Sequence, residues 1–372
     1  MSSEQRVLYR WANTLHSHLP VLNYWQVMGL ALFSLGVVLA RSCQLMVVAE
    51  ELAFAGKADS VQRRLKRLIA NAHIEMELIF PYWIEWVLTS VVGRELDFLV
   101  DETKLGQRIG VMMVSLAYRG RAIPLIWRCY RANQADAYPS EGQVQMIVDM
   151  LATIRPAIPD GCQFRLQADQ GIGNSSDLMR RLSKAGWTFL FRVKENSMFT
   201  TRGGFRFRLR DMAFTRRCGS ARGILFTRSH RAIPGTLHMI WAEEYDEVWF
   251  LFTIDPLLSG NTYARRYWQE EGFRDLKSGG WHWDVSFVRD PQHMHRLIFV
   301  LALAYAWMVT LGTLTFALPD TLRRQIVAAD EHRFSVFRQG IRVFKRLLSL
   351  ATEYIHAQFF FLILPPSYPL RC

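Results

Sequence analysis

The pattern of apolar and polar positions is helical in the first quarter of the chain. Residues 1–92 contain an apolar segment, VMGLALFSLGVVLA, and a run of good helix formers, DSVQRRLKRLIANA, which together predict a helical region. The Asp-Ser pair that opens the second segment is the predicted helix cap. Arg63 and Arg67 lie one turn apart on a basic stripe. A solvated helix face and a DNA-contacting face explain this stripe equally well.

From about residue 96 the period changes to two. The runs LDFLVDETKL, GVMMVSLAYRG and AIPLIWRCY predict three short antiparallel strands joined by turns. A helix (EGQVQMIVDMLATI), a strand (CQFRLQAD), a loop (QGIGNS), a second helix (SDLMRRLSKAGW) and a last strand (WTFLFRVK) are predicted to follow. The order β-β-β-α-β-α-β predicts a mixed α/β sheet.

A strongly basic segment follows this α/β pattern. Residues 202–231 contain nine arginines and only one acid. In FRFRLR the alternation predicts a strand with Arg206, Arg208 and Arg210 on one face and apolar side chains on the other. We therefore predict a β-rich insertion over residues 196–255. A solvated strand face is the alternative, but clustered arginines with almost no acid favour DNA contact.

The next segment, YARRYWQEEGFRDLKSGGWHWD, covers residues 263–284 and is predicted to form one helix. At about 100° per residue, Tyr263, Arg266, Glu270 and Lys277 fall within an arc of about 60°. One face of the helix would then carry a phenol, two cations and a carboxylate. Such a face buries poorly by itself, and it suits a partner that is both anionic and metal-bearing.

Residues 297–318 form the longest apolar run, with no charge over 22 positions. By length they could span a membrane, whereas their composition favours a helix buried on all sides of an α/β protein. Positive residues flank the run on both sides, so the flanks give no orientation. We predict a buried helix, followed by a helical tail.

Composition and charge narrow the class of protein. The 372 residues suffice for two or three domains. A net charge of +12 favours a polyanionic partner, namely DNA, RNA or an anionic membrane. Five widely spaced cysteines without a C-x-x-C pair argue against a disulfide framework and a zinc ribbon, and they favour a reducing cytosol. The N-terminus lacks the pattern of a signal peptide.

Two acids stand where apolar strands are predicted to end. Asp101 follows DFLV, and Asp169 follows FRLQA. Carboxylates held at strand ends are ligands that Mg²⁺ prefers, and with Glu270 they could hold two ions for an in-line phosphoryl displacement. The alternative is that both aspartates simply begin loops.

These residues resemble those of a known family. The spacing Tyr263-x₂-Arg266-x₃-Glu270-x₆-Lys277 matches the signature of DDE transposases of the insertion-sequence-four type. FLVDETKL and LQADQGIGNSSDLMRRLSKAGWTFLFRVK resemble the first and second aspartate blocks of that family. The resemblance extends over residues 95–315. Two positions differ from common relatives: Gln-Gly-Ile-Gly follows the second aspartate, and tyrosine follows the signature arginine where tryptophan is frequent.

The resemblance implies a ribonuclease H-like α/β core whose catalytic triad, Asp101, Asp169 and Glu270, binds two Mg²⁺ ions, with Mn²⁺ tolerated. Cleavage of the transposon end would leave a 3′-hydroxyl that attacks target DNA, without a covalent protein intermediate. The signature residues that would grip the DNA end are Tyr263, Arg266 and Lys277, with Tyr267 able to stack on a base. Expected partners are the terminal inverted repeats, the target DNA and a second copy of the chain, in the bacterial cytoplasm and without a membrane.

The same interpretation divides the chain into five parts. Residues 1–92 are the N-terminal helical DNA-binding region, 93–195 and 256–318 are the two parts of the catalytic core, 196–255 are the insertion between them, and 319–372 are the helical tail. Trp281 and Trp283 are predicted to lie in the core. A nuclease that cuts without joining and a decayed or domesticated DNA-binding protein on the same fold remain alternatives, and a membrane protein is a distant one.

Overall fold

The computed structural model describes most of the chain. The residues described are 1–90, 95–134, 139–212, 218–226, 231–241, 247–315 and 334–349.

The N-terminal region is helical, as predicted. Its helices are α1 (Ser3–His18), α2 (Tyr24–Ala40), α3 (Leu45–Glu51), α4 (Ala58–Ala70) and α5 (Met76–Ser90). The predicted cap of α4 is wrong. The helix begins one residue before Asp59, with Lys57 as its N-cap and no capping side chain, so the Asp-Ser pair lies within the first turn. Arg63 and Arg67 are exposed, opposite the buried Leu65.

One mixed sheet of ten strands forms the centre of the protein. The strands of its first half are β1 (Glu95–Leu105), β2 (Ile109–Tyr118), β3 (Arg121–Arg131), β4 (Gln163–Ala168) and β5 (Thr188–Arg192). Their order is β3-β2-β1-β4-β5. The meander β1-β2-β3 is antiparallel, while β1, β4 and β5 are parallel. This arrangement confirms the predicted mixed α/β class and is consistent with a ribonuclease H-like DDE domain.

Three helices connect the strands of this half. They are α6 (Gly142–Ile154), α7 (Gln170–Gly173) and α8 (Ser176–Lys184). The predicted loop QGIGNS is wrong in its first half, because Gln170–Gly173 form the short helix α7. Gly173 allows this turn to lie against the sheet: a Cβ there would stand 2.8 Å from the Cβ of Phe191.

The basic segment is β-rich, as predicted, and it continues the same sheet. Its strands are β6 (Met198–Thr201), β7 (Arg206–Arg208), β8 (Cys218–Leu225), β9 (Ile233–Ile240) and β10 (Trp249–Thr253), and β10 pairs antiparallel with β5. The prediction for FRFRLR is partly wrong. Arg206 and Arg208 are exposed on β7, but the strand ends there and Arg210 lies in a 3-10 turn. Phe205 is 70% exposed rather than packed on the core.

The predicted single helix over residues 263–284 is also wrong. The segment forms a 3-10 helix (Gly260–Arg266), then α9 (Tyr267–Leu276), and then an irregular turn. The turn is specified by Gly280, because a Cβ there would stand 2.2 Å from the carbonyl oxygen of Asp275. The predicted burial is confirmed for the apolar residues of this segment, which are Phe273, Leu276, Trp281 and Trp283.

The long apolar run lies in α10 (Pro291–Leu314), which the Asp290 side chain caps. This helix is long and apolar enough to cross a membrane, but 94% of its most apolar window is buried inside the protein. By length and composition, α2 and α3 together pass the same test, with a bend of 91° between them. The buried position predicted for the run is thus observed up to residue 315, and residues 316–318 lie outside the described part of the chain.

Helix α10 crosses α11 (Val336–Ser349) at two glycines. A Cβ on Gly312 would stand 1.8 Å from the carbonyl oxygen of Val336, and one on Gly340 would stand 1.7 Å from that of Met308. Only glycine permits this approach of the two backbones. Helix α11 belongs to the predicted C-terminal tail. Residues 319–333 and 350–372 of that tail are not among those described.

A buried acid behind the sheet makes the stability dependent on pH. The Asp275 carboxylate lies 2.6 Å from Arg121 Nε and accepts a hydrogen bond of 3.3 Å from the Tyr305 hydroxyl. Burial raises the pKa of Asp275 to about 6, reinforced by Glu271 and opposed by Arg121. The pKa of Asp275 is therefore higher in the folded state than in the unfolded state. Its protonated carboxyl contributes stability that is fully present below the unfolded pKa and is lost as the pH rises through 6.

Asp275→Asn is therefore expected to flatten the pH profile of the unfolding free energy. Between about pH 4 and pH 7 the wild-type protein should lose up to about 3 kcal/mol more than the variant. Urea unfolding across that range measures the difference. Asp160→Asn, a change at an exposed position, should follow the wild-type profile. Parallel profiles for Asp275→Asn and wild type would contradict the assignment.

Candidate active site

The register of two parallel strands brings the two predicted aspartates together. β1 and β4 are paired as far as Val100 and Ala168. Asp101 and Asp169 are the next residues on each strand, so they lie side by side at the same edge of the sheet. The prediction that Asp101 ends its strand is wrong, since β1 continues to Leu105 by pairing with β2 alone.

Asp169 is held by the first turn of α7. Its Oδ1 accepts hydrogen bonds from the N–H groups of Gly171 at 3.0 Å and Ile172 at 3.1 Å. This is the ordinary geometry of a helix N-cap. The cap fixes the orientation of the carboxylate and leaves Oδ2 directed toward Arg266, whose Nη2 is 3.9 Å away.

Arg266 is the cation that the three predicted metal ligands share. Its Nη2 lies 3.0 Å from Asp101 Oδ2, and its Nη1 is hydrogen-bonded to Glu270 Oε1. The residue is only 9% exposed, and burial alone would lower the pKa of its guanidinium. The surrounding carboxylates, Asp101 first, raise that pKa instead. Arg266 therefore stays charged and neutralises the carboxylates that converge on it.

The surroundings of Asp101 perturb its carboxylate. Burial raises its pKa to about 6, and the negative charges of Asp169 and Glu270 act in the same direction. Arg266 opposes the rise, as does the backbone N–H of Glu102, which donates to Asp101 Oδ1 at 2.8 Å. A half-buried carboxyl beside two others is the electrostatic pattern typical of a functional site.

Tyr263 lies under the site rather than on a helix face. It is 5% exposed, and its hydroxyl donates to the carbonyl oxygen of Ala168, the residue before Asp169, at 3.2 Å. Burial is the largest cause that raises the pKa of its phenol. The helical-wheel placement was wrong because Tyr263 belongs to the 3-10 helix. Its contact with DNA stays a prediction.

Lys277 and Tyr267 flank the carboxylates. Lys277 follows the end of α9, and its Nζ donates to Thr103 Oγ1 at 2.6 Å, two residues along β1 from Asp101. Burial lowers the pKa of this ammonium, while the carboxylates of Asp284 and Asp101 oppose the shift. Tyr267 is 50% exposed at the start of α9, and its role in stacking stays a prediction.

A second set of ion pairs beside the site was not predicted. Asp97, 2% exposed, lies on the same face of β1 as Asp101 and is paired with both Arg165 and Arg265. Gln167 Nε2 also donates to its Oδ1 at 3.0 Å. Through Arg265, Asp97 holds the 3-10 helix that ends at Arg266. The alternation of polar residues at 97, 101 and 103 in LDFLVDETKL was the available signal.

The predicted DNA-contacting arginines lie apart from this cluster. Arg63 and Arg67 are exposed on α4, and the arginines of the FRFRLR segment, Arg206, Arg208 and Arg210, are exposed on the insertion. Within the described parts of the chain, the ion pairs of the carboxylate cluster involve none of them. Their contact with DNA stays a prediction.

The donor set suits a hard divalent cation. Asp101, Asp169 and Glu270 supply carboxylate oxygens that already face one shared positive charge. Over the described residues, no three His, Cys, Asp or Glu side chains stand close enough to hold an ion as they are placed. The ligands therefore fit in kind and in charge, and the guanidinium of Arg266 has to move aside before they can close on a metal.

Comparison with known proteins identifies the family of the chain. A family model described as "Transposase DDE domain" matches residues 106–307, which is more than half of the chain. The match contains Asp169 and Glu270 and begins after Asp101. No curated protein matches the chain.

Proposed function

Because this chain belongs to the transposase DDE-domain family, we propose that it cuts the ends of a transposon and joins them to target DNA, as an insertion-sequence-four-type enzyme. The observation that carries the proposal is the convergence of Asp101, Asp169 and Glu270 on one buried guanidinium at the edge where β1 and β4 part. Members of this family use divalent metals.

Asp101, Asp169 and Glu270 are the residues that would hold two Mg²⁺ ions. Bound there, such ions stabilise the entering and leaving oxygens of a phosphoryl displacement. The residues of the chain do the rest. Arg266, once released from the carboxylates, and Lys277 present positive charge to the phosphate of the DNA end. Tyr267 offers its exposed ring to a base.

The reaction needs no energy source beyond the DNA itself. In the first step, the oxygen of water bonds to phosphorus, the bond to the 3′ oxygen breaks, and that oxygen takes up a proton. In the second step, the new 3′-hydroxyl loses its proton, bonds to a target phosphorus and displaces another 3′ oxygen. One phosphorus–oxygen bond forms for each that breaks, so joining conserves the bond energy.

The partners we propose are the terminal inverted repeats, target DNA and a second copy of the chain that binds the other end. The exposed arginines of α4 and β7 supply positive charge for phosphate contacts. We place the protein in the bacterial cytoplasm, since a DNA substrate and five cysteines with no paired spacing both suit that compartment.

A joining assay tests the proposal. Full-length protein, Mg²⁺ and a duplex that ends in the recessed 3′-hydroxyl of the element are mixed with a supercoiled plasmid. We expect covalent joining of the labelled strand to the plasmid, and no joining when the 3′-hydroxyl is replaced by hydrogen. Cleavage of intact ends without joining would identify a nuclease instead. Binding without either reaction would identify a DNA-binding protein that has lost catalysis.

A further inference from the structure

A cleft begins one residue beyond Asp169. It has a volume of about 470 Å³ and is lined by Gln170, the residue after that aspartate, together with Lys194 and Arg210. Phe250 forms part of its apolar wall. The cleft therefore leads away from the candidate active site between α7 and the start of the insertion.

Two further clefts lie next to the first. Asn174 lines the second, of about 640 Å³, and its Oδ1 accepts a hydrogen bond of 3.1 Å from the backbone N–H of Lys194, which lines the first. Arg180 lines both the second cleft and the third, of about 760 Å³. We call the three together the insertion groove. It runs from Asp169 past α8 to the β8-β9 hairpin.

The insertion groove is positively charged along its length. Arg231 lies in the second cleft, and Lys184, Arg202 and Arg222 lie in the third, whose lining contains no acid. Arg202 and Arg222 are neighbours, because the backbone N–H of Arg202 donates to the carbonyl oxygen of Arg222 at 3.2 Å. Several cations distributed over three neighbouring clefts suit a polyanion better than one small anion.

The acids of the insertion groove are largely neutralised by arginines. Glu247 in the first cleft lies 2.8 Å from Arg192 Nη2, and Asp177 in the second lies 3.1 Å from Arg181 Nε. Glu195 is the remaining acid of the first cleft. The net field along the groove is therefore attractive to phosphate.

The second and third clefts also have accessible apolar side chains beside their cations. Phe226 supplies them in the second cleft, and Ile224, Pro234 and Ile254 in the third. A duplex keeps its bases stacked inside and presents only phosphates and groove edges to a concave surface. An unpaired strand exposes its bases, and sites for such strands combine a positive groove with surfaces on which bases rest.

We propose that the insertion groove binds an unpaired strand of DNA that leaves the active site past Asp169. The proposal rests on the transposase function proposed above and adds to it a separate track for a strand that is not in a duplex. It assigns Arg202, Arg222 and Lys184 to the far end of that track, on the opposite side of Asn174 from the carboxylates.

Fluorescence anisotropy with full-length protein tests the proposal. The probes are a labelled oligothymidylate and a labelled duplex of equal length, in EDTA so that neither is cut. The double variant Arg202→Ala/Arg222→Ala should bind the oligothymidylate about tenfold more weakly than wild type, and the slope of log affinity against log salt should decrease by about two. Duplex affinity should change by less than about twofold, since the proposal places no duplex phosphate beside Arg202 or Arg222.

Two controls make the result decisive. Arg131→Ala/Arg155→Ala removes the same charge from exposed positions at the end of β3 and just after α6 and should leave oligothymidylate affinity unchanged. Lys184→Ala, a milder change in the same cleft, should weaken it in the direction of the double variant. Circular dichroism confirms folding of each variant.

Equal oligothymidylate affinity in groove and control variants would overturn the proposal. An equal loss for both probes would also overturn it, because the surface would then bind duplex DNA. The joining assay separates this proposal from the enzymatic one. If the wild-type protein joins DNA but the groove variants bind oligothymidylate normally, only the groove proposal fails. If the groove variants bind oligothymidylate weakly but the wild-type protein does not join DNA, only the enzymatic proposal fails.

Discussion

Asp169→Asn is expected to reduce both cleavage and joining by at least about a thousandfold while DNA binding is retained. The reason is the loss of one carboxylate charge from the set formed with Asp101 and Glu270. The substitution is conservative in structure, because the amide oxygen of asparagine can accept the same hydrogen bonds from Gly171 and Ile172. Cleavage of a labelled end and its electrophoretic shift, measured on the same preparation, give both quantities.

The matched control for this change is Asp160→Asn, at an exposed position. It should cleave and join as the wild type does. If Asp169→Asn kept even a tenth of the wild-type rate, the carboxylate would not be part of the reacting site. If it lost binding and cleavage together, its role would be in folding or in DNA recognition.

Arg266→Gln is expected to lower the unfolding free energy by about 2 kcal/mol in EDTA. Without the guanidinium, three converging carboxylates lose their shared cation. The loss is smaller than for a fully buried pair because Glu270 and Asp169 have side chains that are 50% and 39% exposed. Protonation of Asp101, whose pKa is already raised to about 6, offsets part of the repulsion.

Divalent ions should stabilise Arg266→Gln more than they stabilise the wild type. A metal and Arg266 compete for the same carboxylates, so the variant has no internal cation to displace. Urea unfolding with EDTA and with saturating Mg²⁺ measures the two increments. Arg67→Gln, at an exposed position of α4, should show little change in either. Equal stabilisation of wild type and Arg266→Gln by Mg²⁺ would contradict the shared-cation role.

The sequence predicted well the order of strands and helices along the chain. Runs of apolar residues bounded by turn residues identified β1 to β5, because most of the residues in each strand are buried. The parallel pairing of β1 with β4 was not predicted, because β3 and not β1 precedes α6 and β4 along the chain. That pairing accounts for why Asp101 and Asp169, far apart along the chain, meet at one edge.

Local conformation near the site was predicted less well because tertiary contacts decide it. The segment 263–284 has helical composition, but packing against β4 and β5 holds its start as a 3-10 helix, and Gly280 fits a turn that approaches Asp275. FRFRLR has a perfect alternation, yet its pairing partner β6 is only four residues long. Pattern alone does not reveal the length of the partner strand.

The sequence predicted which residues form the site, but it did not predict the contacts between them. A helical wheel placed Arg266 near Glu270, and both indeed interact. It gave no sign that Arg266 also reaches Asp101, because that contact depends on how α9 lies on the sheet. The Asp97–Arg265 pair joins residues 168 positions apart, and no local pattern encodes such a distance.

The metal site can be observed directly. Crystals of the wild-type protein with a transposon end, soaked in Mn²⁺, would give an anomalous difference map that locates each ion. We expect density in coordination contact with the carboxylates of Asp101 and Asp169, completed by Glu270, with the Arg266 guanidinium turned away from all three. Anomalous peaks that avoid these carboxylates, with Arg266 still bound to them while DNA is present, would contradict the assignment of this site.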